Sequence, residues 1–140
     1  MLKKIPRNLS PELVKKLMEM GHGDYVLLAD ANFPGHSHHN NVVRADGLKI
    51  PDLLDSILQL FPLDSYSDYQ VKFMEVVEGD DTKPVIWDEY KTILDKHEKN
   101  YKIEHVERFD FYEQTKKNYL VVLTGETALY GNIMLRKGVI

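Results

Sequence analysis

His22 stands between Gly21 and Gly23, where a helical pattern ends and an apolar run begins, so small neighbours leave its imidazole approachable. Imidazole titrates near neutrality and can both take and give a proton. A histidine at a helix end also caps carbonyls and complements the dipole, and spacing alone favours that plainer role. Asp30 closes the apolar run Tyr25 to Ala29, at the end of a strand where ligands gather in open α/β sheets. An aspartate there also opens a turn.

Arg108, followed by Phe109, Phe111 and Tyr112, forms a strand-to-helix junction in which a guanidinium could bind hydroxyls while the aromatics pack; core aromatics beside a surface arginine is the alternative. Tyr130-Gly131-Asn132 places a phenol, a glycine and an amide in three residues, a set suited to an uncharged polyol and equally to a plain turn. His36, His38 and His39 put three imidazoles on one loop, as a zinc, iron or manganese site would. Adjacent residues of an extended loop point apart, however, and spacing fixes no carboxylate partner. The acids Glu78, Asp80 and Asp81 read as a solvated turn before a helix.

The elements that must position these groups follow from periodicity. Ser10-Pro11-Glu12 reads as an N-cap, a first-turn proline and a first-turn acid ahead of Leu13, Val14, Leu17 and Met20 at helical spacing, with Gly21 as the stop. Tyr25 to Ala29 reads as a strand buried on both faces. Residues 32–41 read as a long loop, and Arg44-Ala45-Asp46-Gly47 as another turn. Helices are expected over 51–61, about 84–97 and 109–117, and strands over 70–77, 103–108, 119–124 and 133–135. Interleaved strands and helices place the chain in the α/β class, as a single compact domain over 1–140 with three α/β/α layers and a mixed sheet.

Composition narrows the function. The 140 residues are enough for one core, and 43% hydrophobic with 29% charged residues excludes a disordered chain. The net charge of -4 is spread along the chain, which argues against a nucleic-acid footprint. No apolar run approaches a bilayer span, and Met1 to Pro6 carries lysines without an apolar signal segment, so no membrane association and a cytoplasmic location are expected. With no cysteine, a thiolate nucleophile and a Cys-ligated zinc are excluded, and no Gly-rich phosphate cradle is present. No cofactor and no metal are expected.

Taken together, Gly21-His22-Gly23-Asp24, Ala29-Asp30-Ala31-Asn32-Phe33-Pro34-Gly35-His36-Ser37, Arg44-Ala45-Asp46-Gly47, Leu63-Asp64-Ser65-Tyr66, Val77-Glu78-Gly79-Asp80, Arg108-Phe109 with Phe111-Tyr112-Glu113, and Gly125-Glu126 with Tyr130-Gly131-Asn132-Ile133 resemble the fucose mutarotase family across almost the whole chain. The wider family includes ribose pyranases, which share the Gly-His, Asp-Ala and terminal Tyr-x-Asn elements but lack the Arg-Ala-Asp-Gly and Val-Glu-Gly-Asp segments in this form. The resemblance implies a metal-free isomerase that interconverts the anomers of L-fucose and similar monosaccharides. Within it, His22 is the general acid/base, and Asp30, Arg108, Tyr130, Gly131 and Asn132 contact the sugar. Tyr112 and His36 are further candidates.

The family loop commonly carries His where this chain has Asn32, which bears on sugar preference. The resemblance also implies a homo-oligomer, a ring-like decamer with sites near subunit boundaries. Three other readings stay open: a ribose pyranase, a metal-dependent sugar isomerase or lyase using His36, His38 and His39, and a non-catalytic sugar-binding module.

Overall fold

The computed structural model describes residues 1–140. Eleven elements follow one another: α1 (Pro11–Glu19), β1 (Tyr25–Ala29), α2 (Gly35–His38), β2 (Val42–Ala45), α3 (Ile50–Leu58), β3 (Val71–Met74), α4 (Ile86–His97), β4 (Ile103–Val106), α5 (Arg108–Lys117), β5 (Leu120–Thr124) and β6 (Ile133–Arg136). The six strands make one sheet in the order β2-β5-β1-β6-β3-β4. Strand β6 runs antiparallel to both its neighbours, β1 and β3, while the other pairings are parallel. Five strands therefore share one direction. Their carboxyl ends, together with the start of β6, form a single edge of the sheet.

Strand β1 is buried on both faces, as its unbroken apolar run requires. Val26 and Leu28 join Leu13, Leu17, Leu53, Ile57, Tyr90 and Leu94 of α1, α3 and α4 in the larger core. Leu27 and Ala29 face the other way, into a smaller core with Phe33, Phe111, Met134 and Leu123 beneath α2 and α5. The result is the expected three-layer α/β/α domain with a mixed sheet.

Local chemistry sets the element ends. The Ser10 hydroxyl accepts from the Leu13 N–H at 3.1 Å and Pro11 opens the first turn, which starts α1 where the sequence places it. Met20 is already extended, so the helix ends before Gly21. Helix α3 is shorter than its apolar pattern, because the Leu60 and Phe61 N–H groups both turn back to the Ile57 carbonyl. Strand β3 stops at Met74 because its partner β4 ends at Val106, leaving only a Glu75 N–H to Val106 carbonyl bond beyond it.

Two expectations are corrected. The segment read as loop and turn contains α2 and the edge strand β2, which pairs in parallel with β5 from Val42↔Val121 to Ala45↔Thr124. Of its four residues only Val43 is buried, so its sequence carries no run or alternation to betray it. Phe109, expected to pack, is 69% exposed, whereas Phe111 is fully buried.

Candidate functional site

The edge formed by the carboxyl ends of the parallel strands holds an open cavity of about 310 Å³, at the small end of ligand pockets. Asp30 enters it from the end of β1, Arg108 and Tyr112 from the first turns of α5, Tyr130 and Asn132 from the segment leading into β6, and Asp80 from the loop after β3. Phe33, Pro34, Met74, Val77 and Leu129 supply apolar walls. Hydrogen-bonding and apolar groups thus line the same cavity.

Asp30 and Asn132 form a closed pair. The Asn132 amide donates to Asp30 Oδ2 at 2.8 Å, and its carbonyl oxygen accepts the Asp30 N–H at 2.9 Å. The other Asp30 oxygen takes the Asn32 N–H at 2.9 Å. Burial raises the Asp30 carboxyl above its ordinary value, and the nearby Glu126 charge adds to this, while the bonds from Asn32, Asn132 and Phe33 pull against it. A carboxyl held upward gives as well as takes a proton closer to neutrality.

Tyr130 has φ 58°, a left-handed conformation that is uncommon for a residue other than glycine. Two bonds from α4 hold it there. The Trp87 indole donates to the Tyr130 carbonyl at 2.8 Å, and the Tyr90 hydroxyl to the Gly131 carbonyl at 2.6 Å. The Tyr130 phenol donates to Asp80 Oδ2 at 2.5 Å and accepts the Val77 N–H at 3.3 Å. The Asp80 bond raises the Tyr130 phenol and keeps it protonated. Across the cavity, Arg108 Nε donates to the Tyr112 hydroxyl at 3.2 Å, leaving the rest of an exposed guanidinium for a ligand.

Gly125, just after β5, has to be glycine: a Cβ there would lie 2.1 Å from the Asp46 carbonyl oxygen. Its close packing lets the next residue, Glu126, turn inward. The buried Glu126 carboxylate accepts the Thr127 and Ala128 N–H groups at 2.8 and 2.9 Å and the Ile50 N–H at 3.3 Å, which ties the α3 start to the loop approaching Tyr130.

His22 and His36 do not line this cavity. His22 precedes β1, so it lies at the opposite edge of the sheet from Asp30, separated by a five-residue strand that spans about 17 Å. It caps no helix carbonyl. Its Nε2 instead meets Asp64 Oδ1 at 2.9 Å, and its ring packs edge-on to Tyr66 at 5.5 Å. Gly23 follows with φ 86°, the left-handed step that turns the chain into β1.

His36 lies in a separate polar groove with Ser37, His38, His39 and Lys116. The three loop imidazoles do not converge. His38 Nδ1 donates to the Pro34 carbonyl at 2.9 Å, while His39 Nδ1 accepts the Asn41 N–H and its Nε2 donates to the Asn118 carbonyl. No group of three His, Asp or Glu side chains is arranged as a metal-ligand set.

The RbsD / FucU transport protein family matches residues 3–140. The chain belongs to this family. Among its relatives, the L-fucose mutarotase of Haemophilus influenzae (strain 86-028NP) is 49% identical over 140 residues, covering 99% of this chain and 97% of the relative. The structure of the fucose mutarotase from Streptococcus pneumoniae in complex with L-fucose superimposes with a TM-score of 0.95 at 55% identity, covering 99% of both chains. FucU from Bifidobacterium longum superimposes with a TM-score of 0.94 at 45% identity, covering 97% of this chain and 98% of that one.

In this RbsD / FucU chain the sequence-derived residues Asp30, Arg108, Tyr112, Tyr130 and Asn132 share one cavity, with Gly131 beneath it as the acceptor for Tyr90. Sequence reasoning missed Asp80 as a site residue. One of its oxygens does close the turn by accepting the Thr82 N–H at 2.8 Å, but the other holds the Tyr130 phenol fifty residues away. Local spacing carries no trace of that pairing. The apolar walls Met74, Val77 and Leu129 were also unsignalled, since Leu129 comes from a segment distant in sequence from the other two. No helix of the protein is long and apolar enough to cross a membrane.

Proposed function

We propose that the protein is an isomerase, an L-fucose mutarotase that interconverts the α and β anomers of the sugar by general acid/base catalysis without a metal or cofactor. The observation that carries this reading is the match, over 99% of both chains, to a fucose mutarotase with L-fucose bound. The cavity supports it: two carboxyls, two amides, two phenols and a guanidinium offer donors and acceptors to hydroxyls, and the apolar lining suits a deoxy sugar's methyl group.

Mutarotation moves one proton and one bond. The anomeric hydroxyl loses its proton, the ring oxygen gains one, the bond between the anomeric carbon and the ring oxygen breaks, and closure on the other carbonyl face reverses these steps. A positioned acid/base typically contributes a factor of about 10² to 10⁴. His22 is the shuttle. Since it lies at the far sheet edge in its own chain, it serves the cavity of a neighbouring copy, with Asp30, Arg108, Tyr130 and Asn132 fixing the hydroxyls there.

A homo-oligomer, the family's ring-like decamer, supplies that neighbour. Leu2, Met18 and Leu60, exposed around the helix that leads to His22, favour such contacts. The chain works in the cytoplasm.

A second reading is favoured by one observation. Asp30, with its raised carboxyl, already sits inside the cavity and could shuttle the proton alone. Exchange NMR on L-fucose separates the two, because His22→Ala removes most of the exchange enhancement in the first and little in the second. An unchanged rate in a folded, assembled His22→Ala protein refutes His22 as shuttle. Binding of L-fucose by the native protein without faster anomer exchange refutes catalysis altogether, and faster exchange on D-ribose than on L-fucose points to the pyranase activity.

A further inference from the structure

Asp64 touches no atom of the sugar cavity, yet its carboxylate is more fully engaged than any in that cavity. Its side chain is 1% exposed beside a His22 side chain that is 45% exposed. Oδ1 lies 2.9 Å from His22 Nε2 and accepts the Tyr66 N–H at 3.1 Å. Oδ2 accepts the Ser67 N–H at 3.1 Å and lies 3.3 Å from Arg136 Nε, close enough for charge attraction although that buried N–H makes no hydrogen bond. Arg136 is held in turn over the Tyr25 ring, at 5.6 Å.

Burial by itself pushes the Asp64 carboxyl upward, but the bonds from His22, Tyr66 and Ser67 and the Arg136 charge outweigh it and hold the group well below its ordinary value. An ionised carboxylate only accepts hydrogen bonds, so the facing nitrogen, His22 Nε2, must carry the proton. Nδ1 is then the nitrogen left for a ligand, and no group of the chain bonds to it. Turn formation explains why an aspartate accepts from Tyr66 and Ser67; it does not explain the bond to a half-exposed imidazole.

We propose that Asp64 is a positioning residue for the mutarotation: its carboxylate, clamped by the Tyr66 and Ser67 amides, locks His22 in the Nε2–H tautomer and presents Nδ1 as the proton-exchanging atom. This rests on His22 being the shuttle. Nδ1 takes the proton from the anomeric hydroxyl and delivers it to the ring oxygen as the bond between that oxygen and the anomeric carbon breaks, and the reverse closes the ring. The transient imidazolium keeps its Nε2–H on the Asp64 carboxylate, which stabilises the added charge without accepting the proton.

Two measurements on the assembled protein test this. Long-range 15N–1H correlation spectra report the His22 tautomer in the native protein, where neutral His22 is expected with its proton on Nε2; a proton on Nδ1 overturns the proposal whether or not any variant folds. Exchange kinetics on L-fucose then compare Asp64→Asn with His22→Ala. A folded Asp64→Asn protein should lose kcat by about 10²-fold, the lower range of a positioned acid/base, with KM changed less than about twofold because the cavity is untouched. An unchanged kcat, or a change in KM alone, overturns the positioning role. If His22→Ala is inactive while folded Asp64→Asn is fully active, the failure is that of Asp64 alone; if His22→Ala is itself fully active, the shuttle reading fails with it.

Discussion

The Tyr90 hydroxyl donates to the Gly131 carbonyl at 2.6 Å, joining the middle of α4 to the turn that carries Tyr130 and Asn132. Tyr90 is fully buried, and burial raises its phenol so far that it remains a donor across the working range. Tyr90→Phe leaves a carbonyl without its partner, which costs about 1–3 kcal/mol. Denaturant unfolding should show that loss, and KM for L-fucose should rise as the Tyr130 turn relaxes.

Arg108 is the opposite case, an exposed side chain whose only hydrogen bond goes to Tyr112. Arg108→Met should leave the unfolding free energy within about 0.5 kcal/mol, as expected of a surface position. Losing a charge-assisted bond to a sugar hydroxyl should weaken L-fucose binding by roughly tenfold or more. Calorimetry on the native and variant proteins measures both.

Trp87 is the single tryptophan, and its indole N–H is bonded to the Tyr130 carbonyl at the site. Its emission should therefore change saturably on titration with L-fucose. Asn132→Ala, which opens the Asp30 pair, should shift that titration to higher sugar concentration by about tenfold.

Asp55 bridges α3 and α4, reaching Lys96 at 2.9 Å and His97 at 2.6 Å. The Lys96 bond, then the His97 bond, lower its carboxyl below 3.8. A lowered acid stabilises the fold at pH values above the ordinary value and loses that contribution as pH falls through the folded one. The difference in melting temperature between the native protein and Asp55→Asn should be full near neutrality and close as the solution is acidified below about pH 4. Asp30, raised by burial, has the opposite sign, so Asp30→Asn should gain relative stability as pH rises.

Much of this was legible where the determinant is local. Ser10 and Pro11 start α1, the apolar run of β1 reports burial on two faces, and Asp30 after it marks the ligand edge of a parallel sheet. What escaped depended on partners distant in sequence. Strand β2 exists because β5 offers it a ladder, not because Val42 to Ala45 are patterned. Asp80 acquires its role only when Tyr130 folds against it, and Asp64 only when His22 does, forty-two residues away. His22 and Asp30 flank one extended strand, and such a strand sends its two ends to opposite edges of the sheet.

The proposed sharing makes each subunit a lender and a borrower, since β1 offers an imidazole at one end and the cavity at the other. Passed on in one sense, such contacts are head-to-tail and form a ring when the rotation closes. Two impaired proteins should then repair each other when assayed below saturating sugar: His22→Ala subunits keep an intact cavity and Asn132→Ala subunits keep an intact imidazole. Dissociated, mixed in equal amounts and reassembled, they should recover about a quarter of native exchange, the statistical share of good cavities facing good imidazoles in a head-to-tail ring. Subunits that each complete their own site would give no more than the mean of the two separate variants.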